Sequence, residues 1–409
     1  MVSKYDVFYY IATNDNIRIG EIAKGLHRQV DYANIRKKVL ELADEGYIKA
    51  NKTVRAIPSE KTKKLYRLIT FCVKNSLSYN FLLQKTIVDF TKKAAKKEFF
   101  SNNDIRINHQ TFSSYVAVLE RYGFVLVVSR KPFVCKLLKH HFLIDLVDFF
   151  GKNVTFYKTK QIQLTPKIKK ELRLFNKNVK EHGNIFVDVE RKDELNFIHT
   201  SLSLEGNPVT ISDTEKIIFN NIIPKKYRLI HIQEVANYKK AVDSMIENAR
   251  DKKKLTLALI LEYHEKAMWH INGAGVVRKQ NVRIKGNPNF KTCEWRLLPK
   301  KLAELMQKYE KFESEKHHLK EIIYFAAFFH NEFQRIHPFI DGNSRTSRLL
   351  MLHILRYHGL PVLNLPLGYF DGYLDLTKRS TKRDDRAFRD LIKEIVFFNL
   401  RSINNRMKL

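Results

Sequence analysis

The sequence predicts a mainly α-helical protein with a smaller α+β part near its N-terminal end. Apolar residues recur at helical spacing through much of 208–400, most clearly in residues 234–246, 255–269 and 320–334. The 409 residues include only 14 Gly and 10 Pro, and 44% of them are hydrophobic. This composition excludes a disordered chain, and the length is enough for about two to four domains with sizeable cores.

Residues 1–58 predict three short helices followed by a two-stranded hairpin. The hairpin covers residues 47–57, with its turn near Asn51 and Lys52. Apolar residues at 7–11 mark the first helix, and apolar residues at 19–26 mark the second. The third helix is predicted by a cap at Asp31, by the helical spacing of Ile35, Val39 and Leu42, and by Gly46 at its end. This order of elements resembles a winged helix-turn-helix domain.

In such domains the third helix enters the major groove of double-stranded DNA. Arg36, Lys37 and Lys38 lie on the predicted third helix, so the resemblance implies that they contact DNA. Winged helices also serve as dimer or protein-docking modules. The sequence therefore leaves a homodimer and a protein partner open at this surface.

Residues 62–150 predict a second winged-helix-like domain. Its predicted elements are a helical stripe at 112–119, Gly123 as its end, and extended runs at 124–128 and 133–138 around a turn at 129–132. Residues 151–190 are rich in Lys and show little apolar periodicity. They predict a connector that is partly helical around residues 166–176.

The run HPFIDGNSRTSR at residues 337–348 contains most of the functional information. Its Asp, Gly, Asn and Ser favour a loop that opens a helix, and residues 346–357 predict that helix. A helix start offers free N–H groups and the positive end of the helix dipole, which suits a phosphate. Arg345 and Arg348 share one helical face and can each form a charge-assisted fork to a phosphoryl group.

This run resembles the signature of the Fic family, His-Pro-Phe-x-Asp/Glu-Gly-Asn-Gly-Arg-x-x-Arg. Every fixed position matches except Ser344, where the family usually has Gly. The alternative, an arginine-rich helix start with structural ion pairs, is disfavoured by the length of the match. The resemblance implies an all-helical Fic core over residues 208–409, with a β-hairpin flap at 282–297 that holds a target segment by main-chain pairing.

A second motif lies upstream in residues 191–207. Ser201, Glu205 and Gly206 match the family's inhibitory pattern, Ser/Thr-x-x-x-Glu-Gly/Asn. Alone, this segment would be a helix end capped by Gly206. Its position before the signature resembles the subclass whose inhibitory helix is part of the same chain. The resemblance implies that Glu205 pairs with Arg348 and occupies the fork that a terminal phosphate of ATP would need.

Fic proteins typically transfer AMP from ATP to a hydroxyl side chain of a target protein, releasing pyrophosphate. The resemblance implies that His337 deprotonates the Ser, Thr or Tyr hydroxyl of a target, or of the chain itself, and that Asp341 holds Mg²⁺ on the phosphates. The remaining implied contacts are Gly342, Asn343 and Ser344 with the α-phosphate, Arg345 with the β-phosphate, and Arg348 with the γ-phosphate. A looser match beyond the signature implies that Tyr373 faces adenine.

Ser344 leaves alternatives open, because its Cβ and hydroxyl crowd the phosphate cradle. Family members that transfer phosphate instead of AMP differ at this position, so phosphate transfer stays an alternative. Removal of AMP, with Glu205 positioning a water, is another. A further hypothesis from a different class is a DNA-binding regulator whose Fic core senses nucleotide without turnover.

The net charge is +31, from 74 basic and 43 acidic residues. A positive electrostatic field of this size attracts polyanions, although a surface rich in solvated Lys residues also accounts for the charge.

Cys72, Cys135 and Cys293 are too few and too widely spaced for a disulfide framework or zinc site, and are expected to be reduced and buried. The sequence shows no signal-peptide core, and the apolar run at 322–329 is too short to span a membrane. We expect a soluble cytoplasmic protein.

Overall fold

The computed structural model describes residues 2–14, 16–26, 32–157, 164–269, 271–284, 287, 290–378 and 383–408. Within these ranges the protein is mainly helical, with two small antiparallel sheets, which confirms the expected fold class. The chain divides into two compact units, residues 1–116 with 128–158 and residues 117–127 with 159–409. The finer domain boundaries drawn from the sequence stay predictions.

The regular elements follow one another in this order. The first part contains α1 (Lys4–Thr13), α2 (Ile19–Gly25), α3 (Tyr32–Asp44), β1 (Ile48–Ala50), β2 (Val54–Ala56), α4 (Glu60–Lys74), α5 (Tyr79–Leu82), α6 (Lys85–Ala95), α7 (Asn102–Ile105), α8 (His109–Arg121), β3 (Val125–Arg130), β4 (Phe133–Leu137) and α9 (His141–Phe149). The second contains α10 (Thr165–Glu181), α11 (Gly183–Ser203), α12 (Ile211–Asn220), α13 (Leu229–Arg250), α14 (Leu257–Met268), α15 (Leu298–Glu313), α16 (Leu319–Ile336), α17 (Asn343–Tyr357), α18 (Phe370–Leu376) and α19 (Asp385–Arg406).

The first three helices and the β1–β2 hairpin appear in the order that the sequence predicts for residues 1–58. The hairpin is antiparallel and sets Ile48 opposite Ala56. The stripe of α3 is buried, with Ile35, Val39 and Leu42 fully inside, because residues three and four apart share a helical face. The proposed cap, Asp31, lies outside the described residues.

The basic residues of α3 are accessible to different extents. Arg36 and Lys37 are exposed, whereas Lys38 is half-buried and donates to Oδ1 of Asn34 at 2.9 Å. In residues 62–150 the structure places α8, β3 and β4 where a stripe and two extended runs were expected, and several further helices precede them. The winged-helix assignments themselves stay predictions.

The connector predicted for residues 151–190 is mostly helical in its described part. Residues 165–181 form α10, and α11 begins at Gly183, well before residue 191. The outer face of α10 is rich in Lys, whereas its inner face contains a short apolar stripe in which Ile168 and Phe175 are buried. This stripe packs α10 along α19, where Asn178 and Asn404 bond through their side chains at 3.2 Å. The helix expected around residues 166–176 is thus present as α10, and the connector assignment itself stays a prediction.

The segment expected to form the flap contains no strand among its described residues. Thr292 Oγ1 donates to the carbonyl of Val282 at 2.9 Å, which links the two arms of the segment by a side chain. The second arm ends in a 3-10 helix at Trp295–Leu297. Gly286 and Pro288 of the expected turn lie outside the described residues.

Two further expectations concern the cysteines and membranes. Cys72 and Cys135 are buried and form no disulfide, whereas Cys293 is partly exposed, contrary to expectation. No helix in the described ranges combines the length and the apolar character needed to cross a membrane.

Candidate active site

The signature residues form the loop between α16 and α17. His337 ends α16 in a left-handed conformation, with φ of 54°, which non-glycine residues adopt only where their surroundings enforce it. Its N–H donates to the carbonyl of Phe333 at 2.9 Å. Gly342 then starts α17 with φ of 78°. The two left-handed residues turn the chain sharply and place the helix start beside the histidine.

The hydrogen bonding of His337 determines which nitrogen can act as a base. Its Nδ1 lies 3.3 Å from the carbonyl of Gln334, a pure acceptor, so Nδ1 carries the proton and donates. The lone pair is then on Nε2. Burial lowers the pKa of His337 to about 4, and the positive charge of Arg278 adds to this effect. The imidazole is therefore neutral near pH 7.

Arg278 holds the turn at His337 from outside the signature. Its guanidinium is buried and donates to the carbonyls of His337 at 2.8 Å, Gln280 at 2.6 Å and Cys293 at 2.5 Å. Its own N–H donates to Pro338 O at 2.9 Å. The role of Arg278 could not be predicted from the sequence, because an Arg after a glycine pair gives no signal of long-range carbonyl contacts.

His264 on α14 fixes the middle of the loop. Its Nε2–H donates to the carbonyl of Asp341 at 2.9 Å, and its Nδ1 accepts from the N–H of Gly275 at 2.8 Å. Its ring stacks on Phe339 with centroids 3.5 Å apart. Burial lowers the pKa of His264 to about 4, which keeps this tautomer neutral. A single His within an apolar helix gives no sign in the sequence that it holds a distant loop, so this role of His264 could not be predicted.

Asn343 closes the loop on itself. Its Oδ1 accepts from the N–H of Phe339 at 2.9 Å, and its Nδ2 donates to the carbonyl of the same residue at 2.8 Å. The side-chain amide expected to face the α-phosphate is thus engaged in the loop. The N–H of Gly342 donates to Oδ1 of Asp341 at 2.6 Å. The main-chain N–H groups that follow in the first turn of α17 have no partner within the helix.

The first arginine of the signature lies between two carboxylates. Arg345 is buried, and its Nη atoms lie 3.2 Å from Glu234 and 3.3 Å from Asp341. Glu234 also accepts from Nδ2 of Asn207 at 2.8 Å, two residues beyond Glu205. The side chain of Asp341 is 64% exposed. It is the carboxylate of the loop that solvent, and therefore a metal ion, can reach.

The second arginine contacts the inhibitory motif. Arg348 is fully buried, and its Nε donates to Oγ of Ser201 at 2.7 Å. Its Nη2 donates to Oε1 of Glu205 at 2.8 Å and to the carbonyl of Ser201 at 3.0 Å. Ser201 in turn donates to the hydroxyl of Tyr238 at 2.8 Å. Gly206, with φ of 90°, follows Glu205 in the turn that ends α11.

Lys378 contacts the same carboxylate from the end of α18. Its Nζ lies 2.5 Å from Oε2 of Glu205 and 3.3 Å from the carbonyl of Leu204. Burial alone would favour the neutral acid, but the charges of Arg348 and Lys378 outweigh it and lower the pKa of Glu205 to about 2. Glu205 is thus an anion held by two cations, of which only Arg348 was expected from the sequence.

The residues predicted from the signature and from the upstream motif lie together. The ones that meet around the start of α17 are His337, Asp341, Gly342, Asn343, Ser344, Arg345, Arg348, Ser201, Glu205 and Gly206. Tyr373 lies beside Arg348, but it is 1% exposed and its hydroxyl bonds Nε2 of His330 at 2.8 Å. Its contact with adenine stays a prediction.

Comparison with known proteins agrees with this geometry. Residues 254–355 match the profile of the Fic/DOC family. The protein adenylyltransferases Fic of Drosophila persimilis and Drosophila erecta are 29% and 30% identical over 196 residues, 47% of this chain and 37% and 38% of those proteins. Residues 254–355, which include the signature loop between α16 and α17, therefore form a Fic domain. The match to these relatives spans well under half of their length.

Solved structures of Fic proteins also align with the chain. A Fic-domain-containing signaling protein from Bacteroides thetaiotaomicron aligns over 60% of this chain and 96% of its own, with a TM-score of 0.49 and 20% identity. A fragment of Fic-1 from C. elegans aligns over 59% of this chain and 73% of its own, with a TM-score of 0.49 and 19% identity.

Proposed function

We propose that the chain is a protein adenylyltransferase that moves AMP from ATP to a hydroxyl side chain of a target protein or of itself. The observation that carries this proposal is the placement of His337. Its neutral ring leaves Nε2 free to accept a proton beside a helix start and two arginines. The relatives named as protein adenylyltransferases support the same activity.

In the proposed reaction, Nε2 of His337 takes the proton of the attacking Ser, Thr or Tyr hydroxyl. The hydroxyl oxygen forms a bond to the α-phosphorus of ATP, and the bond from that phosphorus to the bridging oxygen breaks. Pyrophosphate leaves with the electron pair. The N–H groups at the start of α17, from Asn343 to Arg345, face the developing charge as fixed donors. Arg345 and Arg348 hold the leaving phosphates.

Asp341 would hold Mg²⁺ in this reaction. Its carboxylate is the hard oxygen ligand that Mg²⁺ prefers, and its exposed side chain leaves room for the water and phosphate ligands that the ion keeps. When bound, the ion neutralises phosphate charge. Arg345, at 3.3 Å from the carboxylate, would share the phosphates with it.

We further propose that the resting protein is inhibited by Glu205. The carboxylate already occupies Nη2 of Arg348, so the terminal phosphate of ATP has no free fork to bind. The Asn207–Glu234 bond at 2.8 Å ties the residues after Glu205 to the partner of Arg345. Activation then requires the end of α11 to move away from α17.

The test is transfer of label from ATP in the presence of Mg²⁺, using wild type, Glu205→Gly and His337→Ala. Label from α-labelled ATP but not γ-labelled ATP, strong in the Glu205 variant and absent after His337→Ala, is the expected result. Label from the γ-position alone would mean that Ser344 has redirected the nucleotide toward phosphate transfer. No label with either nucleotide, with a candidate target supplied as well as the chain itself, would contradict the enzyme and leave a nucleotide-sensing regulator.

A second proposal concerns residues 1–58, which we propose bind double-stranded DNA. Exposure of Arg36 and Lys37 on α3 favours this over a buried packing role. Binding should weaken steeply as salt rises, because phosphate contacts release counterions. Arg36→Ala with Lys37→Ala should weaken it, whereas exposed Lys300→Ala should not. Absent or salt-independent binding of DNA would leave residues 1–58 as a protein-docking or homodimer surface.

The cytoplasmic location also stays a prediction.

A further inference from the structure

The carboxylate of Glu205 bridges two cations from different elements. Oε1 accepts from Arg348 of α17, and Oε2 accepts from Lys378, just beyond α18. Among the described residues, Glu205 provides the one carboxylate within ion-pair distance of Lys378. One negative charge therefore faces two positive charges at this point of the site.

Lys378 is positioned by its own backbone as well as by Glu205. Nδ2 of Asn287 donates to the carbonyl of Lys378 at 2.7 Å. The preceding Thr377 is buried, and its hydroxyl donates to the carbonyl of Tyr373 at 2.6 Å. With its main chain held in this way, the ammonium group would remain near Arg348 when Glu205 moves away.

The surroundings of the ammonium group favour an anion. The side chain of Lys378 is 25% exposed. Burial lowers the pKa of Lys378, Glu205 offsets part of this effect, and the charges of Arg348 and Arg345 lower the pKa further. Removing Glu205 without replacing its charge would leave Lys378 and Arg348 without their anion in a partly buried site, which is unfavourable unless another anion enters.

We infer that Lys378 and Arg348 together form a subsite for the terminal phosphate of a nucleoside triphosphate. A terminal phosphate carries about two negative charges near pH 7, whereas a carboxylate carries one. The pair therefore matches the phosphate better than it matches Glu205. Lys378 would then set the preference for ATP over nucleotides without a γ-phosphate. This inference rests on the proposed function, in which ATP is the substrate.

Binding measurements separate this role from simple packing. The background is Glu205→Gly with His337→Ala, which opens the subsite and prevents turnover. Calorimetry with ATP, ADP and AMP in Mg²⁺ would compare Lys378→Met with the background. We expect ATP binding to weaken roughly tenfold, as for loss of one charged hydrogen bond, while AMP binding stays within about twofold. Lys378→Arg should retain most of the ATP affinity, and exposed Lys300→Met should change nothing.

Two results would overturn the inference. One is unchanged ATP affinity in Lys378→Met. The other is an equal loss for ATP and AMP, which would indicate a structural role for the side chain. Failure of the proposed function looks different, because Glu205→Gly would then transfer no label, whether or not the background protein binds ATP. Normal ATP binding after Lys378→Met in the background, together with normal AMP transfer after Lys378→Met in Glu205→Gly, would contradict only the inference.

Discussion

Oε1 of Glu205 lies 2.8 Å from Nη2 of Arg348, although the two residues are 143 positions apart in the chain. The contact joins the turn after α11 to the first turns of α17. Arg348 is buried and also bonded to Ser201, so its guanidinium cannot swing toward a ligand while the turn stays in place. The residue proposed to recognise the nucleotide is thus held by the segment proposed to inhibit it.

The first prediction concerns the contribution of this contact to stability. Glu205→Gln keeps the shape of the side chain but leaves Arg348 and Lys378 without their anion. We expect the free energy of unfolding in urea to fall by about 2 kcal/mol or more, because removing one partner of a partly buried ion pair leaves uncompensated charge. Saturating ATP should restore part of the loss.

The control for this prediction is Glu310→Gln, which removes an exposed carboxylate of α15. It should change the free energy of unfolding by less than about 0.5 kcal/mol. If Glu205→Gln were equally mild, the two cations would not depend on Glu205, and the inhibitory contact would be too weak to exclude a phosphate.

The second prediction concerns pH. The pKa of Glu205 is lowered to about 2 in the folded chain from an ordinary value of 4.5. A lowered carboxyl pKa contributes stability that is complete above the unfolded value and is lost as pH falls toward the folded value. The difference in unfolding free energy between wild type and Glu205→Gln should therefore be constant from about pH 8 to 5 and shrink below about pH 4.5.

Unfolding curves of both proteins across this range provide the measurement. A difference that already declines near pH 6 would show that Glu205 is not an anion held by two cations. Because Glu205 stays charged at any pH near neutrality, acidification alone should not relieve the proposed inhibition.

The sequence predicted those parts of the site that are formed by residues close together in the chain. The loop at 337–348 and the motif at Ser201 and Glu205 each specify their own local structure, so a short pattern was enough. The left-handed turn at Gly342 and the start of α17 follow from the same residues. The contact between the two motifs was expected only through the family resemblance.

The supporting residues could not be predicted, because their partners are set by packing between distant segments. His264 lies 77 positions from Asp341, and Lys378 lies 173 positions from Glu205. Neither residue type is unusual in its local sequence. Helix α10 was predicted only in part, around residues 166–176, since its many exposed Lys residues obscured a narrow apolar stripe. The adenine contact of Tyr373 rested on a loose match and stays a prediction.

The third prediction concerns the proposed base. In the Glu205→Gly background, the rate of AMP transfer at saturating ATP should vary little between about pH 8 and 6. Burial lowers the pKa of His337 to about 4, and the active form is the neutral one, so the loss of activity should begin only below about pH 5. A large fall centred near pH 6.5 would mean that the imidazole is not shielded as the structure indicates.

Matched histidine variants complete this test. His337→Gln should abolish transfer, since an amide cannot take the proton. His109→Gln replaces an exposed histidine outside the site and should leave both the rate and the pH profile unchanged. Residual transfer in His337→Gln at more than a few per cent of the background would assign the base to another group.

The fourth prediction uses two glycines with similar backbones and different neighbours. Gly342 and Gly359 have φ of 78° and 88°, so alanine at either position costs about 1 kcal/mol of backbone strain. A Cβ at Gly359 would meet nothing within 4 Å among the described residues, whereas one at Gly342 would lie 2.7 Å from Cγ and Sδ of Met268. Met268 is itself fully buried, so it has little room to yield.

We therefore expect Gly342→Ala to lower the free energy of unfolding by roughly 1–3 kcal/mol more than Gly359→Ala. It should also reduce AMP transfer in the Glu205→Gly background at least about tenfold, because a shift of about 1 Å at a catalytic loop is enough for such a loss. The new Cβ would lie 3.1 Å from Nε2 of His264, the atom that holds the carbonyl of Asp341. In a double-mutant cycle, Gly342→Ala should cost less stability in a Met268→Ala background than in wild type if crowding is the cause. Equal effects of the two glycine variants, with no such coupling, would show that only the left-handed backbone matters at Gly342.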